Sequence, residues 1–545
     1  MKVFVLFWLS GGILLALNAY YQEWRSELYP VDWEPGYSVN GKFLHDFSYA
    51  GYHYGEKEIP VISDPLVDVT RSPYYADNTG AEYATKAIQK AIDDLATKGG
   101  GVVYLPEGTY KVKPRGNNAL TIHSDNIVLR GDGPDKTFIL NTETNMRFKS
   151  IIGMEPAGYA GWYTPEGDVV FLSADAVEMD IVIYAENVSS FANGDRIVVT
   201  SDFTDDFIAE HKMTGKWTSE IYGVAFARTI KEVNYNEHSI LLDIPLRYYL
   251  KQRDNARVYR IRPPIQESGI ESLAIGNLQN HSSGWGGRDF DITGTGAYEV
   301  HGSYAVKIRF AENCWIRNVT SFRPKENTMN VHLLSNGLHL YQSRLVTVES
   351  CYFERSQYNG EGGNGYMYVL ESNDCLIKSS TAAHTRRNFS FKKAFSNGNV
   401  IHNSKSKDGI LLTDFHMHLS MSNLFDNHTV DNDFIAAAYR PWGTIEHGHP
   451  TTQSVIWNTR GERYHKYGEF CVQSQQWGYG YVIGTQGPAS SVKLMTGKNT
   501  EPVDHLEGEG MGATLRPVSL YQDQLTRRLK GLNHVDQTGA EIHRK

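Results

Sequence analysis

The sequence predicts an all-β chain built as a solenoid, a parallel β-helix, and three observations predict it. The first is a recurring triplet of an apolar residue, any residue, then Asn or Ser. It occurs as Ile316-Arg317-Asn318, Val348-Glu349-Ser350, Ile377-Lys378-Ser379, Ile401-His402-Asn403, Phe425-Asp426-Asn427 and Ile456-Trp457-Asn458. The apolar positions lie 32, 29, 24, 24 and 31 residues apart. Steps of that size mean stacked units that bury their apolar faces on one another, each about one turn of a β-helix with three short strands. The second observation is an amphipathic helix near the N-terminus followed by a run of short strands. The third is a long segment, 150–262, that alternates strongly but leaves the repeat.

Each element follows in chain order. Residues 1–19 read as a signal peptide: one Lys, an apolar run over 3–17, then Asn18-Ala19. About fifteen apolar residues are short for a membrane span, and a retained N-terminal anchor is the alternative. Residues 20–60 are aromatic and irregular and are expected to wrap the outside of the body. Residues 61–149 open the coil. Within them Ala84, Ala87, Ile88, Ala91, Ile92 and Leu95 form a helical stripe over 81–96. Asp77-Asn78-Thr79 is the expected cap and Gly99-Gly100-Gly101 the stop. The triple glycine follows a helix and precedes a strand, the reverse of a phosphate cradle. Residues 150–262 are expected to form an inserted β subdomain with a helical piece near Phe207–Met213. Residues 263–490 carry the main coils, and 491–545 form a C-terminal extension with a helix over 517–530.

Composition bounds the function. At 545 residues the chain exceeds one ordinary compact core and suits a solenoid with an insertion. The net charge is −9, with no basic run and no nucleic-acid motif, so nucleic acid is an unexpected partner. Abundant Gly and Tyr suit a β-rich sugar-binding protein, although Tyr is also simply a good strand residue. The four cysteines show no metal-ligand spacing. Cys314 and Cys375 share a position two turns apart, about 10 Å by strand spacing and too far for a disulfide. All four are read as small buried hydrophobes.

The segment Asp77-Asn78-Thr79-Gly80, the helix, the run Gly99 to Tyr110 (GGGVVYLPEGTY) and Asn126 to Gly133 (NIVLRGDG) resemble the start of pectate-lyase-like right-handed β-helix proteins. The resemblance covers about 60–145 by motif and 264–490 by repeat. It implies a right-handed parallel β-helix whose N-terminal helix caps the open end of the solenoid. It also implies carbohydrate-active chemistry, since that class holds lyases, hydrolases, epimerases and phage tail proteins. Its lyases pair a basic residue with Ca²⁺ or another cation, but none of their local signatures is matched here. The cofactor is therefore left unassigned, with Ca²⁺ or another divalent cation as the candidate.

The repeat also sets a register for the site. Nine residues before each apolar anchor stand Lys307, His339, Tyr368, Lys392, His416 and His447; seven before stand Arg309, Tyr341, Leu370, Ala394, His418 and His449. Alternate strand residues share a face, so Lys392 is expected beside His416, with Asp414 and His418 flanking. Lys393 breaks the alternation and marks a bulge or a slip of one. A lyase acting on a uronate needs a cation on the carboxylate, a base for the C5 proton and an acid for the leaving oxygen. Lys392, His416, His418 and Tyr368 are the expected catalytic residues. Arg440, His339, Tyr341, Tyr366, His447, His449 and Arg309 are expected to bind substrate. Asp414, His416 and His418 are weak metal candidates. The glycine-rich stretch 358–366 is expected at the wall of the groove.

The expected product is a secreted or periplasmic monomer that depolymerises an acidic, uronate-containing polysaccharide by β-elimination. Two rivals stand beside it. One is a glycoside hydrolase using carboxylates such as Asp414 and Glu446, with Asp433, Glu371 and Glu361 as further candidates. The other is a non-catalytic sugar-binding or adhesin-like coil.

Overall fold

A computed structural model describes residues 22–158, 160–497 and 500–538, with side chains to 531. The proposed signal peptide lies outside the described residues. Three parallel sheets run the length of the molecule. Along the first, one inward apolar column continues from strand to strand: Val67, Val103, Leu129, Ile270, Ile316, Val348, Ile377, Ile401, Phe425, Ile456, Val482 and Leu506. All six anchors of the sequence triplet are paired neighbours in it. The column runs on to Leu506, so the stack passes the boundary expected at 490.

The third residue of each triplet turns the chain. Asn318, Ser350, Ser379, Asn403, Asn427 and Asn458 all have positive φ and form the corner between the first and second sheets. Asn tolerates that left-handed region better than most residues. Most of these side chains are exposed, so they are corner residues. The buried polar ladder stands two residues before the anchors. The Asn399 side-chain oxygen accepts from the Cys375 amide at 3.1 Å, and Asn399 donates to Asn423 at 2.9 Å. The Asn423 amide donates to Ser454 at 3.1 Å. Each rung is thereby tied to the next in the dry interior.

Between its two partly buried ends, Val67 and Leu506, the interior column is buried, and Ile401 is 0 % exposed. Ile401→Ala is expected to destabilise the chain by about 2–5 kcal/mol, read as a lower midpoint of denaturant unfolding. An unchanged midpoint would contradict the column.

The helix spans Thr85–Ala96 and buries Ile88, Ala91, Ile92 and Leu95 against the first coils. Its expected cap is wrong. Thr79–Tyr83 is a strand paired with Gly108–Val112, and Ala84 precedes the helix without a side-chain cap. Gly100 has φ 123°, and an added Cβ would meet Asn126 at 2.4 Å, so glycine is required there.

Residues Ser150–Met154 pair with both Asn118–Ile122 and Tyr304–Arg309, so they belong to the third sheet and not to an insertion. The six-stranded antiparallel sheet between 169 and 260 has its own core, with a helix at Asp205–Glu210. That core also takes in Ala394, Leu419 and Met421 of the coil. Buried ion pairs fasten it further: Arg228 and Arg247 reach Asp374 at 3.2 and 2.9 Å. Residues from 28 to 50 and the helix Leu520–Thr538 cover the outer face of the first sheet over Leu376, Val400, Leu424 and Trp457. The third sheet's outer face is left for the insertion and the loops. The four cysteines are buried and free.

Candidate functional site

The third sheet stacks Tyr304–Arg309, Asn336–Arg344, Tyr366–Asn373, Arg387–Lys392 and Thr413–Met417 as successive rungs. Ile308, Leu340, Leu370, Phe391 and Phe415 face the core, so the residues that alternate with them face out. Lys392 and His416 lie on adjacent strands, as expected. The ladder shifts register between Phe391 and Lys392, and Lys393 has φ 76°. The extra residue is His416, so the bulge lies on the Thr413–Met417 strand, and Lys393 falls just past the end of its own strand.

The centre forms around Tyr366. Its hydroxyl lies 3.3 Å from His416 Nε2, and the Lys392 ammonium sits 3.7 Å from its ring centroid. Arg386 donates to the same hydroxyl at 3.4 Å. On the far side of the imidazole, His416 Nδ1 is 2.9 Å from Asp414 Oδ2. Asp414 is fully buried and also accepts from Arg387 at 2.5 Å, Arg440 at 2.8 Å and Ser390 at 2.8 Å. Arg440 also lies 3.1 Å from Nδ1, but the nearer Asp414 carboxylate can only accept, so it favours the ring proton at Nδ1 and leaves Nε2 as the acceptor for Tyr366. The His447 ring packs edge-on against His416 at 5.1 Å.

Ionisation follows from this packing. Burial alone pushes the Tyr366 phenol up, but Lys392, Arg387 and Arg386 together bring it below its ordinary value. Every other described tyrosine with a shifted ionisation is pushed up, chiefly by burial except at Tyr104, where the hydrogen bond to Asp132 comes first. Burial drives His416 well below the usual imidazole value, Asp414 opposes that, and Arg387 and Arg440 reinforce it. Burial would raise Asp414, yet Arg387, His416 and Arg440 hold it well below the carboxylate range. At neutral pH the site therefore presents a neutral imidazole on a fixed carboxylate, beside a tyrosine that ionises more readily than an ordinary one.

Other expected residues are placed differently. Tyr368 pairs with Phe389, stacks on it at 4.7 Å and bonds to Thr381 O, so it belongs to the core. His418 is buried near Phe203, under the insertion, with φ 20°. His449 donates to His211 O at 2.9 Å and packs on Trp477, clasping coil to insertion. Arg440 is buried and engaged by Asp414 and the backbone of Phe415 and His416, so it braces the site from within. His339 stacks on Tyr304 and lies 3.6 Å from Glu371, one rung further on. Tyr341 and Arg309 lie further along the same outer face. A metal does not fit at Asp414, His416 and His418. His418 points elsewhere, and Asp414 Oδ2 already receives two guanidiniums and an imidazole. Among the described residues, no group of three or more His, Cys, Asp or Glu converges as a metal site.

Sequence reasoning missed Arg386 and Arg387. Arg387 pairs with Tyr366 across the ladder. The double arginine ahead of the alternating run 388–391 marked a strand start, but not which strand it would join.

Loops frame the centre. Gly363 of the glycine-rich stretch lies beside the Lys392 ammonium, 3.9 Å from where its Cβ would stand. The facing loop carries Trp442, 73 % exposed, and Glu446, 3.6 Å from Lys393. The insertion holds that loop: Lys216 donates to Pro441 O at 2.9 Å, and Trp217 Nε1 to His447 O at 2.6 Å.

Residues 71–204 match the family model described as rhamnogalacturonase A/epimerase, pectate lyase-like. An 81-residue stretch is 40 % identical to mannuronan C5-epimerase AlgE1 of Azotobacter vinelandii, covering 14 % of this chain and 6 % of that protein. The chain thus matches only a small part of that curated relative's length. Among solved structures, the surface adhesin PfbA of Streptococcus pneumoniae aligns over 81 % of this chain and 89 % of its own, at 12 % identity and TM-score 0.40. The A-module of Azotobacter vinelandii mannuronan C-5 epimerase AlgE6 aligns over 83 % and 99 %, at 12 % identity and TM-score 0.31. The matched family segment ends well before Tyr366. With its three parallel sheets the chain is a parallel β-helix, and its residues 71–204 are similar to the rhamnogalacturonase A/epimerase, pectate-lyase-like family.

Proposed function

We propose that this chain cleaves an acidic, uronate-containing polysaccharide by β-elimination at the Tyr366–His416 centre. The observation that carries the reading is a tyrosine ringed by Lys392, Arg386 and Arg387 and hydrogen-bonded to an Asp-fixed imidazole. Tyr366 is 0 % exposed, under Lys392, Arg386 and His416. A substrate carboxylate binds these long cationic side chains more strongly than a ring face or a neutral hydroxyl does. Binding therefore draws Lys392 and Arg386 onto the substrate and uncovers the hydroxyl.

The protons balance. Tyr366 passes its proton to His416 Nε2, and the phenolate takes the C5 proton. Lys392 and Arg386 stabilise the charge that moves onto the carboxylate. The electron pair then forms the C4–C5 double bond as the C4–O bond breaks. The imidazolium returns its proton to the departing oxygen, leaving Tyr366 protonated and His416 neutral.

A second reading is favoured by the 81-residue likeness to a mannuronan C5-epimerase: the same proton removal followed by reprotonation on the opposite face. The hydrolase reading weakens, since Asp414 is held ionised by its partners and cannot serve as general acid.

The test is incubation of purified protein with a panel of uronate polymers. Elimination gives ultraviolet-absorbing unsaturated ends. Exchange of H5 in heavy water with no cleavage identifies epimerisation. New reducing ends without that absorbance, or binding with neither change, would overturn proton abstraction here.

A further inference from the structure

Where the insertion meets the third sheet, a cleft is lined by Arg309, Tyr341 and Gln342 of the coil and by Tyr163, Thr164 and Tyr222 of the segment that follows Met154. Tyr163 and Tyr222 stack at 4.4 Å with 19° between their planes, and Tyr222 is 50 % exposed. The Arg309 guanidinium is set in place by Glu155 at 3.2 Å and by Ala160 O at 2.6 Å. Its remaining terminal nitrogen has no hydrogen-bond partner among the described residues. Glu155 is itself held by Asn118 at 2.7 Å. Two residues along the strand, Lys307 is half-buried and has no hydrogen bond or ion pair among the described residues. Its ammonium lies 5.8 Å from the Tyr341 ring centroid. The cleft thus joins a surplus cation to an exposed aromatic face.

This cleft shares its outer face with the Tyr366 centre. From Tyr304–Arg309 the rungs run through Asn336–Arg344, Tyr366–Asn373 and Arg387–Lys392 to Thr413–Met417. At the usual strand spacing that is about 19 Å, a span of several pyranose units. Between the two ends lie His339 and Glu371, then Lys392.

We propose that the cleft at Arg309 and Lys307 is a second uronate-binding site, which takes the carboxylate of one sugar while the Tyr222 face stacks on its ring. The bound polysaccharide then lies across the strands, along the axis of the coil. The insertion thereby selects chains long enough to reach both points. This rests on the reading of the Tyr366 centre as uronate-directed.

The test compares short (di- and trisaccharide) with long (hexasaccharide and longer) uronate oligomers on the full chain. Wild type is expected to prefer long ones. Arg309→Gln is expected to lower that preference about tenfold, about 1.4 kcal/mol, seen in KM more than in kcat. Tyr222→Ala changes an exposed ring and serves where Arg309→Gln does not fold. Equilibrium binding of the same oligomers to Tyr366→Phe protein, with neutral oligomers as control, separates the two claims. Weaker binding of long oligomers in Arg309→Gln without any turnover keeps this site and removes the proposed chemistry. Equal loss for short and long oligomers, or none in either variant, overturns the site.

Discussion

Tyr366→Phe is expected to lower turnover by about a hundred- to ten-thousand-fold, the usual worth of a positioned acid–base group. The substitution removes one oxygen and leaves the ring that Lys392 covers, so the fold and the cationic surround persist. Substrate binding should change little, because Lys392 and Arg386 still meet the carboxylate. A loss confined to kcat is the expected signature. The pH profile carries the same claim. The phenolate is the active base, and the surrounding cations set its ionisation below the ordinary value. The proton it yields stays on His416 for the leaving oxygen, so activity should fall as pH rises through an inflection below that value, where that proton is lost to solvent. Lys392→Met removes one of those cations, so burial weighs more and the inflection moves to higher pH. Full activity in Tyr366→Phe would refute the assignment.

Asp414→Ala is expected to be the most damaging single change at the site. The side chain is 0 % exposed and receives Arg387, Arg440, His416 and Ser390. Removing one member of a buried ion-pair cluster leaves uncompensated charge, at about 3–5 kcal/mol. It also frees the imidazole to take either tautomer, so activity should fall together with stability. The sign with pH follows from the lowered carboxyl. The contribution is fully present above the unfolded aspartate value of about 3.9 and is lost as pH falls through the folded value. The stability gap between wild type and Asp414→Ala should therefore narrow in acid. A gap that is constant from neutral pH into acid would show that the charge of Asp414 is not what stabilises the coil.

The first sheet was legible because its inward positions repeat one simple demand, an apolar side chain at each rung. Ile316, Val348, Ile377, Ile401, Phe425 and Ile456 satisfy it and pair in that order. The role of the following Asn or Ser was not legible. A left-handed corner and a buried hydrogen-bonded ladder favour the same residue types. The third sheet was legible only in part, because the loop that joins it to the next first-sheet strand changes length. Tyr341 pairs with Glu371, and Leu370 with Phe391. Yet Tyr341, Glu371 and Lys392 stand 7, 6 and 9 residues before their anchors Val348, Ile377 and Ile401. A constant offset therefore placed Lys392 and His416 together but took Tyr368, a core residue, for its neighbour Tyr366. His418 and His449 were misread for another reason. The insertion covers that end of the sheet, and nothing in the local pattern shows a surface buried by a segment some two hundred residues earlier.

The central claim is that one buried tyrosine is tuned by its cations to ionise early, and it can be measured without knowing the substrate. Protein carrying tyrosine labelled with carbon-13 at the ring carbon bearing the hydroxyl is titrated by NMR, beside Tyr366→Phe. The resonance missing from the variant should titrate with a midpoint below 10, the ordinary tyrosine value. A midpoint at or above 10 for that resonance would contradict the account.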